Sequence, residues 1–177
     1  MADFADIDFD EIQKAMEDTE RDAFDYYLDR ETGRVAILSD EIIKRAEELL
    51  AELLDEDEES YDAVDYDEEV DLPDWMEGEI DLALDILLYE KDRYVRIPER
   101  DPRACHAAMQ EFAASLHDPK LRNQLLDALD GKGAFRRFKT ILAPLARERK
   151  QWFGFNARSA RDEISRWLST VERKETR

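Results

Sequence analysis

An α+β fold, mostly helical, with a small antiparallel sheet of about three strands and five to seven helices, is predicted by three observations. Apolar residues recur at three- and four-residue spacing through most of the 177-residue chain. Five Gly and five Pro are too few for a turn-rich all-β fold. β-branched and aromatic residues flanked by turn signals collect around residues 24–38 and again at 93–97. One domain spanning 1–177 is expected at this length, and a hydrophobic fraction of 43% supports a true core.

The elements follow in order. Phe9, Ile12 and Met16 space a short helix over about Phe9–Thr19, which the acids before it favour through the helix dipole. Phe24-Asp25-Tyr26-Tyr27-Leu28 and Val35-Ala36-Ile37-Leu38 flank a polar turn ending in Thr32-Gly33, a hairpin signal in which Gly33 takes the positive-φ position. Ser39 or Asp40 caps a helix with the stripe Ile42, Ile43, Ala46, Leu49, Leu50, Leu53 and Leu54. After Leu72-Pro73, a helix from Pro73 or Asp74 carries Trp75, Met76, Ile80, Leu82, Leu84, Leu87 and Leu88 on a wide apolar face. Arg93-Tyr94-Val95-Arg96-Ile97 alternates as a strand that Pro98 ends, and it is expected to add to the hairpin. From Pro102 the chain is helical. Asp118-Pro119 separates one helix, with Ala104, Ala108, Met109, Phe112 and Leu116, from a second with Leu121, Leu125, Leu126 and Leu129. Gly131 and Gly133 start a third, with Phe135, Phe138, Ile141, Leu142 and Leu145 on one face. After Ala143-Pro144, a cap at Asn156 or Ser159 is expected to begin the last, with Ala160, Ile164, Trp167, Leu168 and Val171 inward.

Charge divides the chain. The net charge is −20, yet residues 131–177 hold 13 Lys/Arg against 5 Asp/Glu. The acids concentrate in the N-terminal part, above all in 55–69, where ten of fifteen residues are Asp or Glu. Such a run reads as a solvated connection, extending to residue 71, although Tyr61, Val64 and Tyr66 within it could also dock on a basic surface such as the C-terminal part. Overall repulsion opposes nucleic-acid binding, so a local basic patch would have to overcome it.

Lone Cys105 allows no internal disulfide, Met1–Asp6 has neither the basic region nor the apolar run of a signal peptide, and no apolar run is long enough to span a membrane. A cytoplasmic protein is therefore expected. No metal or cofactor motif is complete. Asp6-Ile7-Asp8-Phe9-Asp10 mimics the start of a calcium loop, but Glu11 stands where glycine is needed. His106 and His117 are too far apart along a helix to share a metal. Gly131-Lys132-Gly133 lacks both the upstream glycine and the Ser/Thr of a phosphate-binding P-loop.

What remains is basic. The first amides of the helix after Gly133, with Lys132, Arg136 and Arg137, could hold a phosphate or carboxylate, or could be a plain helix–helix turn with solvated cations. Further on, Arg147, Arg149, Lys150 and Arg158 interleave with Trp152, Phe153 and Phe155, either as a stacking platform for single-stranded nucleic acid or as core anchors between surface charges. Lys132, Gly133, Arg136, Arg137, Lys139, Arg147, Arg149, Lys150 and Arg158 are thus the candidate anion-binding residues, and none is a candidate for catalysis.

Tyr26-Tyr27-Leu28-Asp29 with Thr32-Gly33-Arg34-Val35, Ile97-Pro98, the block Gly131–Lys139, Trp152-Phe153 and Trp167-Leu168 together resemble a bacterial family catalogued only as an uncharacterised protein family. The resemblance runs over roughly 7–170 and is most specific in the C-terminal block, with 55–69 as a variable insertion. It implies a small cytoplasmic bacterial protein and carries no activity or site residue with it. A non-enzymatic binding or regulatory protein whose basic patch takes nucleic acid or an acidic protein face is expected. The alternatives are an adaptor binding a basic partner through the acidic half, or an enzyme acting on a small phosphorylated molecule beside Gly131–Gly133 with Asp127 or Asp130 nearby. No sequence feature specifies an oligomeric state.

Overall fold

The computed structural model describes residues 6–56, 74–89 and 92–173, so most of the acidic segment 55–71 and its expected docking lie outside the described residues, as do Phe4, Leu72 and Pro73 and the side chains of Leu53, Leu54 and Trp75. The chain is α+β and mostly helical. Among the described residues there are seven α-helices and one three-stranded antiparallel sheet. They gather into two compact units, Met1–Pro98 and Glu99–Arg177.

In the first unit, α1 (Phe9–Glu17) starts where the Asp8 carboxylate accepts from the amides of Asp10 and Glu11, and buries Ile12, Ala15 and Met16. The acids that mimic a calcium loop thus serve as a helix cap. Strands β1 (Phe24–Asp29) and β2 (Val35–Ser39) form the expected hairpin, with Tyr26 opposite Ile37 and Leu28 opposite Val35. Strand β3 (Tyr94–Arg96) pairs with the other edge of β1, giving the order β2-β1-β3. The sheet therefore needs the distant 93–97 segment to exceed a marginal two-stranded ribbon.

Two groups lock this sheet. Asp29, at the end of β1, accepts from the amides of Glu31 and Thr32, from the Thr32 hydroxyl, and from Arg93 Nε and Nη2 at 2.9 and 2.8 Å. Gly33 closes the same turn at φ +73°, and a β-carbon there would lie 2.8 Å from the Asp6 carbonyl oxygen, so both conformation and space demand glycine. Behind the sheet, buried Arg21 donates to the Ala15 and Ile97 carbonyls and lies over the Tyr26 ring. The Tyr26 hydroxyl donates to Asp18, which pushes the phenol up to about 12.

The Arg93 guanidinium, aided by Thr32 and the Glu31 amide against the cost of burial, holds the Asp29 carboxyl well below the usual carboxylate range. A depressed carboxylate stabilises the fold above its unfolded pKa, and that contribution disappears as pH falls through the folded one. Asp29→Asn is therefore expected to lower the melting temperature at neutral pH. It should also shrink the further fall on acidification from about pH 5 to pH 2. Melting curves across that range check both, and an acid slope identical to wild type would refute the assignment.

Helix α2 (Asp40–Glu56) begins with the Ser39 hydroxyl accepting from the Ile42 amide, and packs Ile42, Ala46 and Leu49 against Ile80, Ala83 and Leu84 of α3 (Asp74–Leu84). The last turn beyond α3 widens to a π-helix over Asp85–Tyr89, which brings Ile86 into the same cluster.

In the second unit, α4 (Pro102–Ser115) and α5 (Pro119–Ala128) each carry proline at the first position behind an Asp cap, Asp101 and Asp118. Helix α6 (Ala134–Leu142) starts at Gly133, whose φ is +75°. Helix α7 runs unbroken over Ala146–Arg173, so the expected start at Asn156 or Ser159 is wrong. Trp152 packs edge-on to Phe112 and Phe138, and Phe155 packs on Phe112. This aromatic packing on α4 and α6 carries the helix through Gly154 and Asn156, whose local preferences would have interrupted it.

Arg100, 8% exposed, ties the start of this unit to α7. Its guanidinium reaches the Glu163 carboxylate at 3.0–3.2 Å, the Asn156 side-chain oxygen at 2.5 Å and the Ser159 hydroxyl at 3.4 Å.

Candidate functional site

The nine candidate residues separate into groups with different work to do. Arg137 turns back from α6. Its Nε donates to the Ala128 carbonyl at 3.1 Å, and its two other nitrogens donate to the carbonyls of Lys132 and Asp130. These are the unpaired carbonyls at and beyond the end of α5, so this cation serves as a C-terminal cap for the preceding helix. Arg149 likewise donates to the Ala143 carbonyl at the end of α6. Both are structural in geometry, and neither is a free charge awaiting a ligand.

Gly131 and Gly133 adopt φ of +79° and +75°, which makes the tight α5–α6 turn possible. Gly133 has no side chain to cap the first α6 amides, and the nearest guanidinium, that of Arg137, is directed to carbonyls. The turn is thus built chiefly as a junction between helices.

Lys132, Arg136, Lys139 and Lys150 are exposed and make no side-chain hydrogen bond or ion pair among the described residues. Lys150 sits one turn before Phe153, which is 60% exposed on α7. Trp152, its neighbour, is 5% exposed and belongs to the core. The alternating cations and aromatics of this stretch therefore divide by helical phase: Trp152 turns inward, Phe153 outward.

Arg147 and Arg158 meet in a second setting. Both line a cleft of about 430 Å³ between α7 and the α4–α5 connection, with Glu148, Gln151 and Phe155 from α7 and Phe112, Ser115, Leu116, His117, Asp118 and Leu121 opposite. The Arg158 guanidinium carbon lies 5.9 Å from the Phe155 ring centroid. Residue 117 reaches this cleft because α4 ends at Ser115 and Leu116 turns extended, taking His117 off the helix that carries His106. His106 instead contacts the Leu129 carbonyl at 2.9 Å. Sequence spacing alone does not mark the cleft as a unit. Its readable trace is the spacing of Arg147, Gln151, Phe155 and Arg158, which puts all four on one face once α7 is continuous.

Among the described residues, no helix is long and apolar enough to cross a membrane. No curated protein and no solved structure matches the chain. A family model described as "Uncharacterised protein family (UPF0158)" matches residues 70–175, taking in β3, the Gly131–Lys139 block, Trp152-Phe153 and Trp167-Leu168, while the Tyr26–Val35 hairpin lies ahead of the matched span. By that match over more than half its length, the chain belongs to the uncharacterised protein family UPF0158.

Proposed function

We propose that this chain is a non-enzymatic binding protein that takes a polyanion on the basic face of its C-terminal unit, and that the polyanion is single-stranded nucleic acid. The observation that carries the reading is Phe153. A large aromatic ring 60% exposed, with Lys150 one turn away, offers a base a face to stack on and its phosphate a cation. Lys132, Arg136 and Lys139 on and before α6 supply further charge without being consumed by the fold, as Arg137 and Arg149 are. Affinity on such a surface comes mainly from counterion release, so it is sensitive to salt and tolerant of sequence.

The test is a salt series of the full chain binding to labelled oligothymidine. Log affinity is expected to fall linearly with log salt, with Arg136→Ala and Lys150→Ala each reducing the slope by about 1. Phe153→Ala is expected to weaken binding by about 1–3 kcal/mol at unchanged slope. Polyglutamate serves as the second probe. Equal sensitivity of both probes to Phe153→Ala would favour an acidic protein face over nucleic acid. No binding of either probe at low salt would overturn the reading and direct attention to a basic partner for the acidic half.

A further inference from the structure

We infer that the cleft between α7 and the α4–α5 connection is a binding site for a single nucleoside monophosphate. The inference goes beyond the polyanion reading and stands without it. At about 430 Å³ the cleft falls within the range of small-molecule sites. Its α7 wall places Arg147 and Arg158 at opposite ends, about 16 Å apart along the helix axis, with Gln151 and Phe155 between them.

The two ends differ chemically. At one, Arg158 lies beside the Phe155 ring, which is backed from the core by buried Trp152 with their planes 24° apart. A guanidinium next to an aromatic is a surface on which a flat heterocycle stacks. Gln151, one turn earlier, has both a donor and an acceptor to meet the edge of such a ring. At the far end Arg147 makes no hydrogen bond or ion pair among the described residues, leaving its planar fork for a phosphate.

Charge narrows the ligand further. Two arginines are balanced by two carboxylates, Glu148 on the same α7 wall and Asp118 opposite, so the lining is close to neutral. Asp118 is committed to capping α5 through the amides of Lys120 and Leu121. A compact polyanion such as a triphosphate would meet Glu148 without enough positive charge to offset it. A single phosphate joined to a neutral planar body matches both ends. The apolar floor of Phe112, Leu116 and Leu121 accommodates that body better than a bare inorganic anion.

The test is thermal unfolding of the full chain at constant ionic strength with adenosine 5′-monophosphate, uridine 5′-monophosphate, adenosine and inorganic phosphate. A saturable rise in melting temperature is expected with either nucleotide, at concentrations at least tenfold lower than for adenosine or phosphate. Arg147→Ala should erase the advantage of the nucleotide over the nucleoside. Arg158→Ala should weaken nucleotide and nucleoside alike. Both positions are exposed, so the fold is expected to survive, and Arg136→Ala outside the cleft should behave as wild type. Competition by adenosine 5′-monophosphate against oligothymidine would show that the site takes a nucleotide of a strand; its absence, with saturable monophosphate binding, would mark the free nucleotide as the ligand. No saturable effect of either monophosphate, equal effects of phosphate and nucleotide, or indifference to both cleft substitutions would overturn the assignment. Oligothymidine binding retained alongside any of these leaves the surface reading intact.

Discussion

Replacing Arg100 by alanine is expected to cost the C-terminal unit about 3–5 kcal/mol, because the largely shielded Glu163 would be left with no cation opposite it. The guanidinium has only 5% of its side-chain surface in contact with solvent and the carboxylate 12%, so water cannot take over the lost partner. Asn156 and Ser159 would lose a donor at the same time. Urea unfolding monitored by circular dichroism measures the loss. The companion variant Arg100→Met with Glu163→Leu removes both charges and should recover most of it, since the penalty belongs to the orphaned charge more than to the missing attraction. Equal destabilisation by the single and double changes would show that shape, not charge, holds this point.

Phe138→Ala is expected to be of the same size, about 3–5 kcal/mol. The ring is fully buried at 0% exposure and meets both Phe112 at 6.2 Å and Trp152 at 5.1 Å between centroids, edge to face. Deleting it opens a cavity among α4, α6 and α7, and removes aromatic contacts worth more than their area. Phe138→Leu should cost less than half as much by refilling part of the volume. By contrast Phe135→Ala, one turn-face away and 37% exposed, should stay within about 1 kcal/mol. If Phe135→Ala matched Phe138→Ala in urea midpoints, the packing described for α6 would be wrong.

These two sites show what a sequence does and does not carry. Phe138 is legible: the spacing Phe135, Phe138, Ile141, Leu142 sets an apolar face, and the glycines before it set where the helix begins. Asp118-Pro119 and Asp101-Pro102 mark their helix starts because the cap and the fixed φ are local chemistry. Gly33 at positive φ is readable for the same reason, though its clash partner at Asp6 is not.

Arg100 and Glu163 lie 63 residues apart and look like ordinary surface charges until the fold buries the first against the second. The role of Arg137 also depends on geometry, since three carbonyls of a neighbouring turn leave no mark on side-chain pattern. The unbroken course of α7 escapes local rules too, as Asn156 and Ser159 read as caps while Trp152 and Phe155 supply the packing that overrides them. The excess of cations in 131–177 was legible as composition. Its division into capping arginines, cleft arginines and the exposed set Lys132, Arg136, Lys139 and Lys150 was not.

The turn of α7 from Phe155 to Ser159 is held from two sides at once. Asn156 and Ser159 receive Arg100, while Phe155 and Arg158 border the cleft. A single turn of backbone therefore reports on both, and its local opening must break the anchor and deform the cleft together. Amide hydrogens of this turn are therefore expected to exchange as one cooperative group, and a ligand that tightened the cleft would slow exchange at the Arg100 anchor as well, by the same free energy with which the anchor favours that ligand.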